Sequence, residues 1–258
     1  MDLHGTTCLV TGANRGIGLA IARRLAQEPV RLLVGVRELD RYEPVDAQGA
    51  TEVRPVVVDV GSREAIEASL AGLAEERVDV LVNNAGGFTA GLLETQDLDA
   101  IYDTVQATLL GSIHLTRALL PGMLARGRGK VVCCSSIVAY LHVPGVTTYS
   151  AAKAGLSGFA ECLRRELADT PVSTLHVVTG GIDTDMLDTA KAELERHYDT
   201  STWTQYEPGD WAEKVVSAIE ADDDVLGPGG KAAIGKLAAH LPPAVLDTLS
   251  GKAFDREP

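Results

Sequence analysis

The sequence predicts a doubly wound α/β fold, in which one parallel sheet carries helices on both faces and residues 1–258 make a single domain. Three observations carry that expectation. Short, β-branched, continuously apolar runs alternate with longer helical patterns, as parallel strands buried on both faces and joined by helical crossovers require. A chain of 258 residues can bury one large core, and no Pro/Ser/Gly-rich divide or internal repeat splits it. A glycine-rich turn joins the first strand to the first helix, at the end of the sheet where such folds take ligands.

The elements follow in order. The first strand, TTCLVT, runs into TGANRGIG, residues 11–18, and then into the helix RGIGLAIARRLAQ. Glycines there allow a tight turn and let backbone approach a pyrophosphate, which the helix amides and positive dipole end would hold. This is a Rossmann-type dinucleotide site, with Thr11, Gly12, Asn14, Arg15, Gly16, Ile17 and Gly18 expected along the cofactor. The second strand, VRLLVGV, ends at Arg37, where the adenosine 2′ position should lie. A fork-shaped guanidinium suits a 2′-phosphate, Val36 offers no carboxylate, and Arg15 adds a second cation, so NADP(H) is favoured over NAD(H). Glu38 is the residue that would favour NAD(H), and a solvated charge beside it is the plainer reading of Arg37.

The third strand, EVRPVVVDV, closes on Asp59 and Val60, expected at the adenine; the alternative for Asp59 is a cap for a helix over about 62–76. VDVLVNN is the fourth strand, after which Asn83, Ala85 and Gly86 would let backbone pass along the cofactor. A long helix over about 97–126 comes next, apolar on more than one face through Leu98, Ile101, Val105, Leu109, Ile113, Leu115, Leu119 and Leu120. Such a helix needs a second partner. GKVVCCSS then ends in Ser135 and Ser136, a helix spans about 149–168, and VSTLHVVTG is the sixth strand.

Within TTYSAAKAG, Tyr149 and Lys153 stand four residues apart and share a helix face. Free phenol and ammonium titrate near about 10 and 10.4, but a cation beside a phenol favours the phenolate and lowers its pKa. Together the pair could make one usable acid/base; the alternative is a surface helix with a chance tyrosine and lysine.

TGANRGIG, NNAG, a serine thirteen residues before the tyrosine, and YSAAK stand in the order and spacing of the short-chain dehydrogenase/reductase family, which the chain resembles over residues 5–186. The resemblance implies hydride transfer between a nicotinamide and a carbonyl or alcohol carbon. Ser136 would hydrogen-bond the substrate oxygen, Tyr149 would donate or accept its proton, and Lys153 would lower the tyrosine's pKa while binding the nicotinamide ribose. Gly180 and Ile182 complete the expected cofactor groove, and Thr184 matches the residue at the carboxamide. No metal is expected. Physically, charge arriving on a carbonyl oxygen needs an aimed donor and an acid, and Ser136 and Tyr149 are those two. Halide-eliminating relatives replace the lysine that this chain keeps.

The pattern departs in three places. Thr108 stands where the family carries an asparagine supporting a water-linked proton path, and reads as an ordinary helix residue. Thr179 and Gly180 replace a Pro-Gly pair. Residues 223–258 lack the family's closing strand with its Gly-Gly ending; after a brief strand near Val225, KAAIGKLAAHL and PAVLDTL read as short amphipathic helices.

Tyr198, Trp203, Tyr206 and Trp211 cluster in a segment, 184–211, that the resemblance makes a substrate lid. They would wall an apolar pocket with Phe88, Tyr140, Leu141 and Val143, or else pack the lid onto its own domain. His142 reads as a surface residue. The resemblance implies that the long helix and the Tyr149 helix pair across a two-fold axis, and so a homodimer or homotetramer; burial of the long helix within its own subunit is the alternative.

The formal charge of −13 argues against nucleic acid or anionic membrane as a partner. With no signal-peptide pattern and no apolar run approaching about 20 residues, a cytoplasmic protein is expected. Cys8, Cys133, Cys134 and Cys162 lack metal spacing and are expected as reduced, buried thiols. An NADP(H)-dependent carbonyl reductase or alcohol dehydrogenase for an apolar ketone or secondary alcohol is therefore the expectation. Its rivals are a 3-oxoacyl thioester reductase, disfavoured by the charge against an acidic carrier, and a dinucleotide-binding sensor with little turnover.

Overall fold

The computed structural model describes residues 1–203, 205–228 and 254–256. Seven strands form one sheet: β1 (Thr7–Thr11), β2 (Arg31–Val36), β3 (Glu52–Val57), β4 (Val80–Asn83), β5 (Gly129–Ser136), β6 (Val172–Thr179) and β7 (Val225–Leu226). The spatial order is β3-β2-β1-β4-β5-β6-β7 with every pair parallel. Strand order reverses between β1 and β4, so a crevice opens beyond Thr11 and Asn83 at their carboxyl ends.

The helices are α1 (Gly16–Leu25), α2 (Arg63–Gly72), α3 (Leu98–Val105), α4 (Gly111–Arg126), α5 (Val138–Leu141), α6 (Thr147–Glu166), α7 (Asp185–Leu194) and α8 (Pro208–Glu220). Every residue of β1, β4 and β5 is buried, which is why these strands read as unbroken apolar runs. On one face Ile21 and Leu25 of α1 share a core with Trp211, Val215 and Ile219 of α8. On the other, Ile66 of α2, Leu115 and Met123 of α4, and Leu156 and Leu163 of α6 cover the sheet.

Ser62, and not Asp59, caps α2: its hydroxyl accepts from Ala65 N at 3.1 Å, while Asp59 accepts from Gly61 N at 2.8 Å and closes the turn before the helix. The helix stops at Gly72, short of 76, where Glu76 is drawn to Arg31 and Arg54 instead.

The helix expected over 97–126 is interrupted. Residues 106–110 form a π turn in which Gly111 N donates five residues back to Gln106 O. Thr108 lies fully buried in this turn, and its hydroxyl accepts from Gly87 N at 3.2 Å and faces Gly87 O at 3.4 Å. It is not an ordinary helix residue but a brace for the chain leaving β4. The bulge brings the helix against the crevice wall, since a Cβ on Gly111 would fall 2.7 Å from Val60 Cβ. Outside, Leu98 and Tyr102 are 68% and 73% exposed.

Of the cysteines, Cys8, Cys133 and Cys134 are buried and Cys162 is exposed, contrary to the expectation for the fourth; it sits on the outer side of α6. The strand expected near Val225 is β7, whereas the helices expected over 231–241 and 243–249 lie outside the described residues. Among the described residues no helix is long and apolar enough to cross a membrane.

Candidate active site

The glycine loop is shaped for close approach. Gly12 and Gly16 hold φ of 63° and 56°, and a Cβ on Gly12 would meet Ala85 Cα at 2.9 Å. A Cβ on Gly18 would fall 2.3 Å from Gly12 O and 2.4 Å from Asn84 Nδ2. No side chain caps the start of α1, whose first turn, through Ile17 and Gly18, leaves its amides for an anion. A dinucleotide fits this cradle: the space that glycine leaves and the uncapped helix end are what a pyrophosphate takes. Gly18→Ala is expected to destabilise the protein by about 1–3 kcal/mol, because the clash is with backbone, and to weaken NADPH binding. Thermal melts and fluorescence titration check both.

Thr11 ties the two sides of the crevice together. Its hydroxyl donates to Val82 O at 3.1 Å and accepts from Asn84 N and Ala85 N, both at 3.0 Å. Asn84, which the motif reading passes over, donates from Nδ2 to Thr11 O at 3.0 Å and braces the loop. Asn83 is 1% exposed and donates to Thr116 Oγ1 at 2.9 Å, so its side chain belongs to the α4 contact. Gly86 lies against Thr108, a Cβ there falling 3.0 Å from the Thr108 hydroxyl.

At the end of β2, Arg37 pairs with Glu38 at 3.4 Å, and Glu38 also pairs with Arg41 at 3.0 Å. Arg15 stands 3.9 Å from Asp185, on the far side of the loop mouth. Asn14 is half-buried beside it. These exposed pairs are weak, and either guanidinium can turn to a phosphate at little cost.

Ser136, Tyr149 and Lys153 come together beyond β5. Ser136 is 7% exposed, its hydroxyl accepting from Val138 N at 3.4 Å. Lys153 is buried and donates from Nζ to Cys134 O at 2.7 Å, with Nζ 5.6 Å from the centre of the Tyr149 ring. Phe88 packs edge-on to that ring at 5.0 Å, and the Tyr149 hydroxyl points at Met186 Sδ at 4.0 Å. Burial pushes the Tyr149 phenol up to about 12, and the Ser136 hydroxyl draws it back only in part. Burial brings the Lys153 ammonium down to about 8, with the Cys134 and Cys133 thiols opposing. In the cofactor-free protein desolvation outweighs the Ser136 hydroxyl, the lowering expected from the lysine is not seen, and Tyr149 stands protonated at neutral pH.

The segment expected as a lid follows where the chain leaves β6. Tyr206 bridges to Ile182, and its ring lies over Gly180, where a Cβ would meet it at 3.4 Å. Thr184 touches the glycine loop, its Cγ2 lying 3.3 Å from a Cβ placed on Gly16. The four aromatics divide. Trp211 is 1% exposed in the α1–α8 core with Tyr206 tilted on it at 6.2 Å, so these two pack the domain. Tyr198 and Trp203 stay together in the 184–211 segment at 6.3 Å, with Phe254 5.3 Å from Tyr198. The Tyr198 hydroxyl donates to Pro144 O at 3.2 Å, tying the 184–211 segment to the β5 loop, and Arg256, two residues beyond Phe254, pairs with Glu94 of the β4 loop. His142 is exposed with φ of 50°, the surface residue expected.

The sequence model of the family described as short chain dehydrogenase matches residues 6–195. The chain is 35% identical over 189 residues to the 3-oxoacyl-(acyl-carrier-protein) reductase FabG of Vibrio cholerae serotype O1, covering 72% of this chain and 77% of that protein. It is similar to a single-residue variant of the actinorhodin polyketide ketoreductase solved with NADPH, at 30% identity and a TM-score of 0.75 over 86% of this chain and 94% of that one. A short-chain dehydrogenase from Streptomyces avermitilis superposes with a TM-score of 0.77 at 27% identity, over 97% and 95% of the two chains.

Proposed function

This chain belongs to the short-chain dehydrogenase family, and from that membership we propose that it is an NADP(H)-dependent carbonyl reductase or alcohol dehydrogenase for an apolar ketone or secondary alcohol. One observation carries the reading: Ser136, Tyr149 and Lys153 converge beside the switch-point crevice, with the phenol held protonated. NADP(H), bound along the glycine loop and the ends of β3 and β4, would supply or take up the hydride. Ser136 orients the substrate oxygen. Tyr149, protonated at neutral pH, delivers the proton as charge develops there. Lys153 offsets the phenolate left behind, its ammonium being a buried cation beside the ring. Phe88 and Met186, packed about Tyr149, present an apolar surface that favours an apolar substrate. The domain spans the chain, with a lid at 184–211 and an extension at 227–258, and works in the cytoplasm as a homodimer or homotetramer. The exposed Leu98 and Tyr102 on α3 support the oligomer.

The FabG relative and the polyketide ketoreductase support a second reading, reduction of a 3-oxoacyl thioester. NADPH oxidation against aliphatic, aryl and cyclic ketones beside a 3-oxoacyl thioester tests both. Turnover confined to the thioester sinks the simple-ketone reading. NADPH binding with no turnover on any of them points to a substrate outside the panel or to the sensor.

Arg37 is assigned to the 2′-phosphate. Arg37→Ser is expected to weaken NADPH by roughly tenfold to a hundredfold, the worth of a charge-assisted hydrogen bond, and to leave NADH unchanged. Equal loss for both cofactors would remove Arg37 from that role.

A further inference from the structure

Behind the catalytic cluster a second polar chain crosses the interior. Ser135 on β5, Ser157 on α6 and His176 on β6 are 1%, 6% and 2% exposed. Ser135 Oγ donates to Lys153 O at 3.0 Å and lies 2.7 Å from Ser157 Oγ, which is 3.1 Å from His176 Nε2. The Tyr140 hydroxyl, on the turn after Ser136, reaches the same Ser157. Glu161 Oε1 stands 4.0 Å from His176 Nδ1, and Glu161 also faces Arg164 and Arg165.

Proton counting gives this chain a direction. A serine hydroxyl has one proton to donate. Ser135 commits its proton to Lys153 O, so Ser157 is the donor in the 2.7 Å bond. Ser157 then has none left, and His176 Nε2 must carry the hydrogen. The far end of the chain meets the same residue whose Nζ is held by Cys134 O at 2.7 Å. Lys153 is thus clamped to adjacent residues of β5 at two points, its ammonium and its carbonyl. Such a buried pair is close to neutral for stability when both members are exchanged for apolar groups, so stability alone does not account for it.

We propose that His176 is a positioning residue: through Ser157 it fixes the Ser135 hydroxyl on the Lys153 carbonyl and so sets the turn of α6 bearing Tyr149 and Lys153 against the strand end bearing Ser136. The inference rests on the catalytic reading of those three residues. Without the Nε2 hydrogen, the hydroxyls reorient and the turn loses its second anchor.

The test compares His176→Gln, whose side-chain N–H can stand where Nε2–H stands, with His176→Leu and Ser157→Ala. His176→Leu and Ser157→Ala should each lose about tenfold in kcat, less than the roughly hundredfold of a 1 Å misplacement, with the KM for NADPH within about twofold. His176→Gln should recover most of the loss. In the unaltered protein, 15N spectra of labelled histidine, assigned by the signals lost in His176→Gln, should show hydrogen on Nε2. Wild-type kcat in both His176→Leu and Ser157→Ala, a His176→Gln variant as slow as His176→Leu, or a bare Nε2 would overturn the proposal. Tyr149→Phe is run alongside: full turnover there sinks the catalytic reading itself, while the spectrum still judges the chain of hydroxyls.

Discussion

Replacing Tyr149 by phenylalanine is expected to lower turnover by about 10²–10⁴-fold while leaving NADPH affinity and the melting temperature near wild type. The variant removes one oxygen. The ring stays edge-on to Phe88, and among the described residues the hydroxyl faces the neighbouring Ser136 hydroxyl and, at 4.0 Å, the Met186 sulfur, contacts the fold can lose at little cost. What goes is the acid. Ser136 cannot replace it, since a serine hydroxyl is a hydrogen-bond donor but a far poorer proton source. The raised phenol pKa also sets a pH expectation: the fraction of protonated Tyr149 stays constant from acid to mildly alkaline pH in the cofactor-free protein. A group that titrates below about pH 9 in the cofactor-free protein is therefore not Tyr149. Single-turnover NADPH oxidation by the two proteins, with a binding titration beside it, measures all of this. Turnover by Tyr149→Phe within about tenfold of wild type would remove the phenol from the chemistry.

Most of the framework is legible in the residues because burial on both faces leaves no ambiguity of period. β1, β4 and β5 are buried throughout, and the helix bearing Tyr149 and Lys153 lies within about two residues of its expected place at each end. The convergence of Ser136 with that helix is legible too, since strand ends of a doubly wound sheet meet at one rim. What escapes depends on contacts that no residue letter carries. The Lys153 anchor is the main-chain oxygen of Cys134, and the π turn at 106–110 sits where Thr108 grips the backbone of Gly87. Asn84 and Asn83 are chemically identical neighbours, and only the alternation of a strand end decides which braces the loop and which turns to Thr116. Trp211 falls with the lid by its place in the sequence, although residues 211, 215, 216 and 219 follow the helical period of a core face.

Lys153→Met carries the second large effect, and it separates activity from stability. Turnover should fall on the order of a hundredfold, as when a fixed donor facing developing charge is removed. Stability should respond in the opposite sense as pH rises. The folded lysine titrates near 8 because burial disfavours its charge, against 10.5 for the ordinary group. Below pH 8 both states hold the proton and the folded state bears the buried charge in full. Between 8 and 10.5 the folded protein releases it while the unfolded chain keeps it, so the wild type gains stability with rising pH and loses that gain as pH falls back through 8. At about 1.36 kcal/mol per pKa unit, wild type should climb relative to Lys153→Met by roughly 2–3 kcal/mol between about pH 8 and 10. Taking the difference matters, because the Cys8, Cys133 and Cys134 thiols, pushed up by burial to about 12, 12 and 11, lower the stability of both proteins above about pH 9. Tyr149, raised to about 12, confines its own loss to pH above about 10. Urea unfolding of the two proteins at several pH values across that window measures the difference. Parallel curves would mean that Lys153 is charged in the folded state throughout, held by Cys134 O and its surroundings, and would overturn the argument from desolvation.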